Sequence, residues 1–170
     1  MRISIFIDGA NYFFMQRDGL HWWIDAEKLM AYCETLGEVV DATYYVGVGV
    51  PSEARQHAFL NRLVDLGYAL ETKDIKEIFD DVSGEIKKKA NLDIEIVLDM
   101  FNTIDNYDMA ILVSGDGDFE RPLRLLRARG KKFKVLSTKG FVAHELKMVA
   151  GLHYKDVNDL RAELEHIRGT

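Results

Sequence analysis

Asp8, Asp93, Asp116 and Asp118 are the side chains whose types and spacing suit chemistry in this 170-residue sequence. Asp8 ends the apolar run Ile3-Ser4-Ile5-Phe6-Ile7, and Gly9 behind it frees the backbone to turn. Asp116 and Asp118 follow a second apolar run, Met109 to Val113, within Ser114-Gly115-Asp116-Gly117-Asp118. Asp93 shares a helical face with Ile96, Val97, Met100 and Ile104. A carboxylate on an apolar stripe is costly unless something pairs with it. A place in the first helical turn reduces that cost, because the helix dipole favours an anion there. If these four carboxylates converge, they repel. Two unit charges about 4 Å apart cost roughly 4 kcal/mol at an effective dielectric of about 20. Such a cluster raises its own pKa values or takes up a cation. An oxygen-only donor set suits Mg²⁺ or Mn²⁺. The chemistry that uses such a site is phosphodiester hydrolysis, in which the metal polarises a phosphate oxygen and makes hydroxide from bound water.

Each aspartate also has a plainer role open to it. Asp8 and Asp118 stand where helix N-caps stand. Asp116, between two glycines, suits a turn, and Asp93 suits a partly exposed first-turn acid. Their joint placement at strand exits and helix starts favours a site.

The elements that must position them alternate. Strands are predicted around residues 3–7, 39–50, 68–72, 109–113, 133–137 and 153–157. Helices are predicted over 25–36, from Pro51-Ser52 to Gly67, and over 91–104, 119–129, 142–150 and 159–167. Residues 74–86 read as a loop with a short strand. This alternation implies an α/β fold with a mostly parallel sheet, a single domain over residues 1–170. In such folds the functional crevice lies beyond the carboxyl ends of the strands.

Composition excludes several alternatives. One cysteine, Cys33, excludes an internal disulfide and a multi-cysteine zinc site. No Gly-Lys-Ser/Thr phosphate loop is present. A haloacid-type phosphatase needs a second Asp where Ala10 stands. No apolar run approaches the roughly 18 residues that span a bilayer, so no membrane partner and a cytoplasmic location are expected. The net charge of −6 argues against a tight nucleic-acid grip. Its distribution is uneven: residues 71–120 hold 14 acids against 5 bases, and residues 121–140 hold 8 bases and no acid. That pattern is consistent with weak, salt-sensitive binding of an anionic polymer.

Phe6-Ile7-Asp8-Gly9-Ala10-Asn11, Leu92-Asp93-Ile94 with Leu98-Asp99-Met100, and Ser114-Gly115-Asp116-Gly117-Asp118-Phe119 together resemble the NYN domain. This is a branch of the PIN-like nuclease superfamily, and the match is closest to its LabA-like members, over roughly residues 2–150. The resemblance implies a PIN-like three-layer α/β/α sandwich and a divalent-metal site built from Asp8, Asp93, Asp116 and Asp118. It implies that Asn11 orients Asp8 or a metal-bound water, and that Ser114 positions the loop. It implies a metal-dependent ribonuclease acting on single-stranded or structured RNA and leaving a 5′-phosphate and a 3′-hydroxyl. The alternative on the same fold is a non-catalytic RNA- or protein-binding regulator. Similar proteins often carry Lys-Gly-Val-Asp before the central acid; here Ala90-Asn91-Leu92-Asp93 stands there, and Lys89 is the candidate for the missing ammonium.

Topology divides the basic stretch. Arg121, Arg124 and Lys139 fall on the site side as candidate phosphate contacts, whereas Arg127, Arg129, Lys131 and Lys132 face away. Tyr12, Phe13, Phe14 and Trp22-Trp23 can stack bases, although Phe13 and Phe14 also suit a core. Trp22-Trp23 also suits a pocket cover or a homodimer surface.

Overall fold

A short, nearly continuous apolar run suits a strand covered on both faces, and two such strands organise the molecule. They are β1 (Arg2–Asp8) and β6 (Met109–Val113), the latter buried throughout. The structure is a computed structural model that describes residues 1–49 and 53–169, without the side chains of residues 87–89. Around the central pair lie β2 (Glu38–Val48), β3 (Ala69–Asp74), β7 (Lys132–Ser137) and β8 (Tyr154–Asp156). The six strands form one sheet in the order β3-β2-β1-β6-β7-β8, and every neighbouring pair is parallel. Strand order reverses between β1 and β6, which opens a crevice at their carboxyl ends. Ile7 pairs with Val113, so Asp8 and Ser114 leave the sheet side by side.

Helices cover both faces and make the three-layer sandwich. Ile3, Ile5, Ile7, Ile111 and Val113 point into one core, with α1 (Gly9–Phe14), α2 (Ala26–Glu34), α3 (Ala54–Asp65) and α7 (Arg161–Leu164). Phe6, Ala110, Leu112 and Val135 point into the other, with α4 (Asp93–Asn102), α5 (Glu120–Ala128) and α6 (His144–Ala150). This inside-outside alternation along each strand follows from the period of two. Asp25 caps α2 as its position predicts, accepting from the backbone of Glu27 and Lys28. The predicted helix start at Pro51-Ser52 lies outside the described residues.

Three segments differ from expectation for identifiable reasons. Residues 74–86, read as a loop with one short strand, open a two-stranded hairpin: β4 (Lys76–Phe79) pairs antiparallel with β5 (Ile86–Lys89), apart from the main sheet. The last helix ends at Leu164 because residues 164–166 pair with 23–25 instead. Asp25 donates to the Leu164 carbonyl at 2.8 Å and His166 to the Trp23 carbonyl at 2.7 Å. The third is a segment for which the sequence suggests no element, a π-helical turn, Met15–Leu20, directly after α1. Gln16, buried at its start, donates from Nε2 to the Tyr12 carbonyl at 3.0 Å and accepts from the Ile24 backbone at 2.7 Å. Replacing Gln16 with Met keeps the bulk and strands the Ile24 N–H. Chemical denaturation is expected to show a loss of about 1–3 kcal/mol.

The α1–π segment runs across the carboxyl edge of the sheet. Asn11 is tied to Gly115 beyond β6, Gly19 packs on Thr138 and Phe141 beyond β7, and Trp22 bonds Asn158 beyond β8.

Candidate metal centre

Asp8 enters the crevice from the end of β1. Its Oδ1 accepts from the Asn11 backbone at 3.3 Å, which makes it the N-cap of α1. Its Oδ2 accepts from Ser114 Oγ at 2.9 Å. The same Ser114 oxygen accepts from the Asp116 backbone at 3.2 Å. Asn11 Oδ1 accepts from the Gly115 backbone at 3.0 Å. Asn11 therefore holds the aspartate loop with its side chain and Asp8 with its backbone. On the opposite face, Asn91 Oδ1 accepts from the Asp93 backbone at 2.7 Å and sets the first turn of α4.

These anchors bring Asp8, Asp93 and Asp116 together, with one carboxylate oxygen from each within 4.8 Å of the others. Asp118 is exposed and stands just outside this group of three. It does not cap α5, whose N-cap position is Phe119. Asp116 takes the capping role in the loop, accepting from the Asp118 backbone at 2.9 Å.

Three acids this close, partly withdrawn from water, disfavour their own ionisation. Burial, then the charges of Asp8 and Asp116, push the Asp93 carboxyl up to about 6. Burial also raises Asp8, against the opposing hydrogen bond from Ser114. Among the described residues, no Lys or Arg forms an ion pair with any of the three. The donor set is all carboxylate, and no described Lys or Arg pairs with it, so the residues present fit a hard divalent cation. The cluster can hold one.

A pH dependence follows. Asp93 has a folded pKa above its unfolded one, so its protonation stabilises the protein below the unfolded value. That contribution is lost as pH rises through about 6. Above that pH the metal-free protein holds a repelling trio. Asp93→Asn is expected to stabilise the metal-free protein at pH 8 by about 1–2 kcal/mol, a value discounted for solvent screening. The gain shrinks at pH 5. The rise in melting temperature that millimolar Mn²⁺ gives the natural sequence is expected to fall away in the variant. Thermal unfolding in EDTA and in Mn²⁺ at both pH values checks this.

The basic residues are more dispersed. Arg121 and Arg124 line a shallow groove on α5 with Leu125 and Ala128, and Arg124 is paired with Glu120 at 3.1 Å. Lys139 is exposed, and its backbone donates to Asp156 at 3.2 Å. Lys89 ends β5, so its backbone is not helical; its side chain lies outside the described residues. Arg127 and Lys131 have anchoring jobs, on the Val149 and Tyr107 carbonyls. Asp99 accepts from the Tyr45 hydroxyl at 2.8 Å, tying α4 to β2. The aromatics divide, with Tyr12 and Trp22 buried and Phe13, Phe14 and Trp23 exposed.

Sequence reasoning did not anticipate the segment that presses on the aspartate loop. Gly115 faces the Phe141 backbone carbonyl and has no room for a Cβ, whereas Gly117 faces the end of the Glu145 side chain, which can move aside. Two glycines interleaved with two aspartates were the available signal of that close approach.

An all-parallel sheet in this order, layered by helices and carrying a carboxylate trio at its switch point, defines a PIN-like α/β fold. Residues 2–158 match the NYN domain, and the chain belongs to that family. Within it the chain is LabA-like. It is 43% identical over 167 residues to the low amplitude and bright protein LabA of Synechococcus elongatus, covering 96% of this chain and 88% of that one. A crystal structure of a protein of unknown function from Vibrio parahaemolyticus shares the fold. Its TM-score is 0.81 at 24% identity, over 96% of this chain and 95% of that one.

Proposed function

We propose that this chain is a metal-dependent ribonuclease that takes Mg²⁺ or Mn²⁺ at Asp8, Asp93 and Asp116 and hydrolyses RNA phosphodiester bonds. The observation that carries the reading is the convergence of these three carboxylates, with no Lys or Arg paired to them among the described residues, at the switch point of a PIN-like sheet. When bound, the metal supplies polarisation of a phosphate oxygen and acidification of the attacking water. The remaining work falls to the chain. Ser114 and Asn11 fix Asp8 and the aspartate loop before substrate arrives, so little reorganisation is left for the reaction. Asp118, exposed beside the trio, accepts the proton of the attacking water at its carboxylate. Arg121, Arg124, Lys139 and Lys89 are the proposed phosphate contacts. The products are a 5′-phosphate and a 3′-hydroxyl.

The test is incubation of purified protein with labelled single-stranded RNA and DNA, with and without Mn²⁺ or Mg²⁺. Metal-dependent cleavage of RNA, abolished by EDTA and restored by excess Mn²⁺, is expected. Intact RNA in every metal condition would overturn the reading and favour a non-catalytic regulator.

A further inference from the structure

Three large rings stand in solvent on the α1–π segment although α1 also has a buried side. Phe13, Phe14 and Trp23 are each 44% exposed. They pack on one another rather than lying loose. Phe13 meets Phe14 edge-on at 5.5 Å between centroids, and Trp23 lies against Phe13 at 5.8 Å. The Arg17 guanidinium covers both phenylalanines, at 5.5 and 4.9 Å from their centroids. Asp18 holds that guanidinium with two bonds of 2.7 and 2.9 Å, so it contributes a fixed plane more than a free charge.

The platform is rigid because its support is. Asn11, Gly19 and Trp22 fasten the segment to three successive strand exits, and Gln16 fixes the π turn. The same segment begins at Asp8, so the rings share the carboxyl edge of the sheet with the candidate metal centre. Fixed, sequence-tolerant π faces with a guanidinium plane beside them are what unpaired nucleobases stack on.

Resting on the ribonuclease reading, we infer that this platform stacks one or two unpaired bases of an RNA strand engaged at the candidate metal centre. A second copy of the chain is the competing occupant, and area disfavours it. The three rings expose on the order of 300 Å² together, against roughly 800 Å² per partner in a stable interface. One or two bases match the available surface.

The test is binding of a fluorescein-labelled oligouridylate and of a blunt RNA duplex of the same length, read by anisotropy in EDTA. The oligouridylate is expected to bind more tightly and to quench Trp23 emission. Trp23→Ala and Phe13→Ala are each expected to weaken it by about tenfold, with Trp23→Phe retaining most of the affinity. The Mn²⁺-induced rise in melting temperature is expected to be unchanged in all three, which shows that the fold and metal centre persist. Unchanged oligouridylate affinity in both alanine variants would overturn the platform, as would a dimer that Trp23→Ala dissociates while RNA binding is retained. Ring-dependent RNA binding without cleavage in Mn²⁺ would keep the platform and remove the ribonuclease. Cleavage whose KM ignores the rings would do the reverse.

Discussion

Asp116→Asn is expected to lower the rate of metal-dependent RNA hydrolysis by at least about a hundredfold. The substitution removes one of three charges that converge within 4.8 Å, and little else. Asparagine keeps the volume and keeps the Oδ1 that accepts from the Asp118 backbone, so the loop retains its turn. Outer-sphere changes around a metal already cost about 10–100-fold, and loss of a direct ligand costs more. Single-turnover cleavage of labelled RNA at saturating Mn²⁺ measures the effect. Asp99→Asn is the matched control, because Asp99 serves Tyr45 rather than the trio. It is expected to cost about 1 kcal/mol of stability and leave the rate within a few-fold. Cleavage that survives Asp116→Asn at the natural rate would identify a contaminating nuclease and remove the mechanism.

Gly115→Ala is expected to be the most destabilising small substitution at the site. A Cβ there would meet the backbone carbonyl of Phe141, with Ser137 Oγ 2.7 Å away behind it. No rotamer relieves a collision with backbone. The loop cannot retreat freely either, since Gly115 N–H donates to Asn11 and its carbonyl accepts from Ala143 at 2.8 Å. The cost is expected to reach about 3 kcal/mol, a fall of roughly 6–12 °C in melting temperature for a chain of this size. Metal-dependent cleavage falls with it, because Asp116 moves with the loop. Gly130→Ala is the informative comparison. Its φ of +78° strains any side chain, yet nothing lies within 4 Å of a Cβ there. About 1 kcal/mol, without effect on cleavage, is expected.

Much of this architecture was legible because the apolar runs are unambiguous. Met109 to Val113, short, apolar and followed by a Gly-rich turn, reads as a strand covered on both faces, and the structure buries all five. Asp8 and Asp116 were readable from their places beyond such strands. Asp93 was readable as a charge on an otherwise apolar stripe. What escaped depends on specific partners rather than on propensity or periodicity. The π turn exists because Gln16 finds Ile24 eight residues on, and no local propensity encodes that bond. The β4–β5 hairpin turns at Asp81-Val82-Ser83-Gly84, with Gly84 at a φ of +70°, but its strands are too polar to show the apolar alternation that marks a hairpin in sequence. Helix α7 is cut short by pairing with residues at the other end of the chain. Asp118 looks like a cap in sequence, and only the 3₁₀ turn over Gly117–Phe119 shows that Asp116 holds that position.

The pairing of β1 with β6 also sets an order of events. Ile3 finds its partner at Met109, on the far side of more than half the chain. Long-range parallel pairing forms slowly, because loop closure precedes any reward from contacts. At about 5–20 residues per second, β1 leaves the ribosome on the order of 5–20 seconds before the strand that covers its open side. In that interval Ile3, Ile5, Phe6 and Ile7 form an apolar edge without its neighbour, a stretch for chaperones to shield. The candidate metal centre draws on residues from both sides of this late closure, so its three carboxylates converge only once the central sheet has closed.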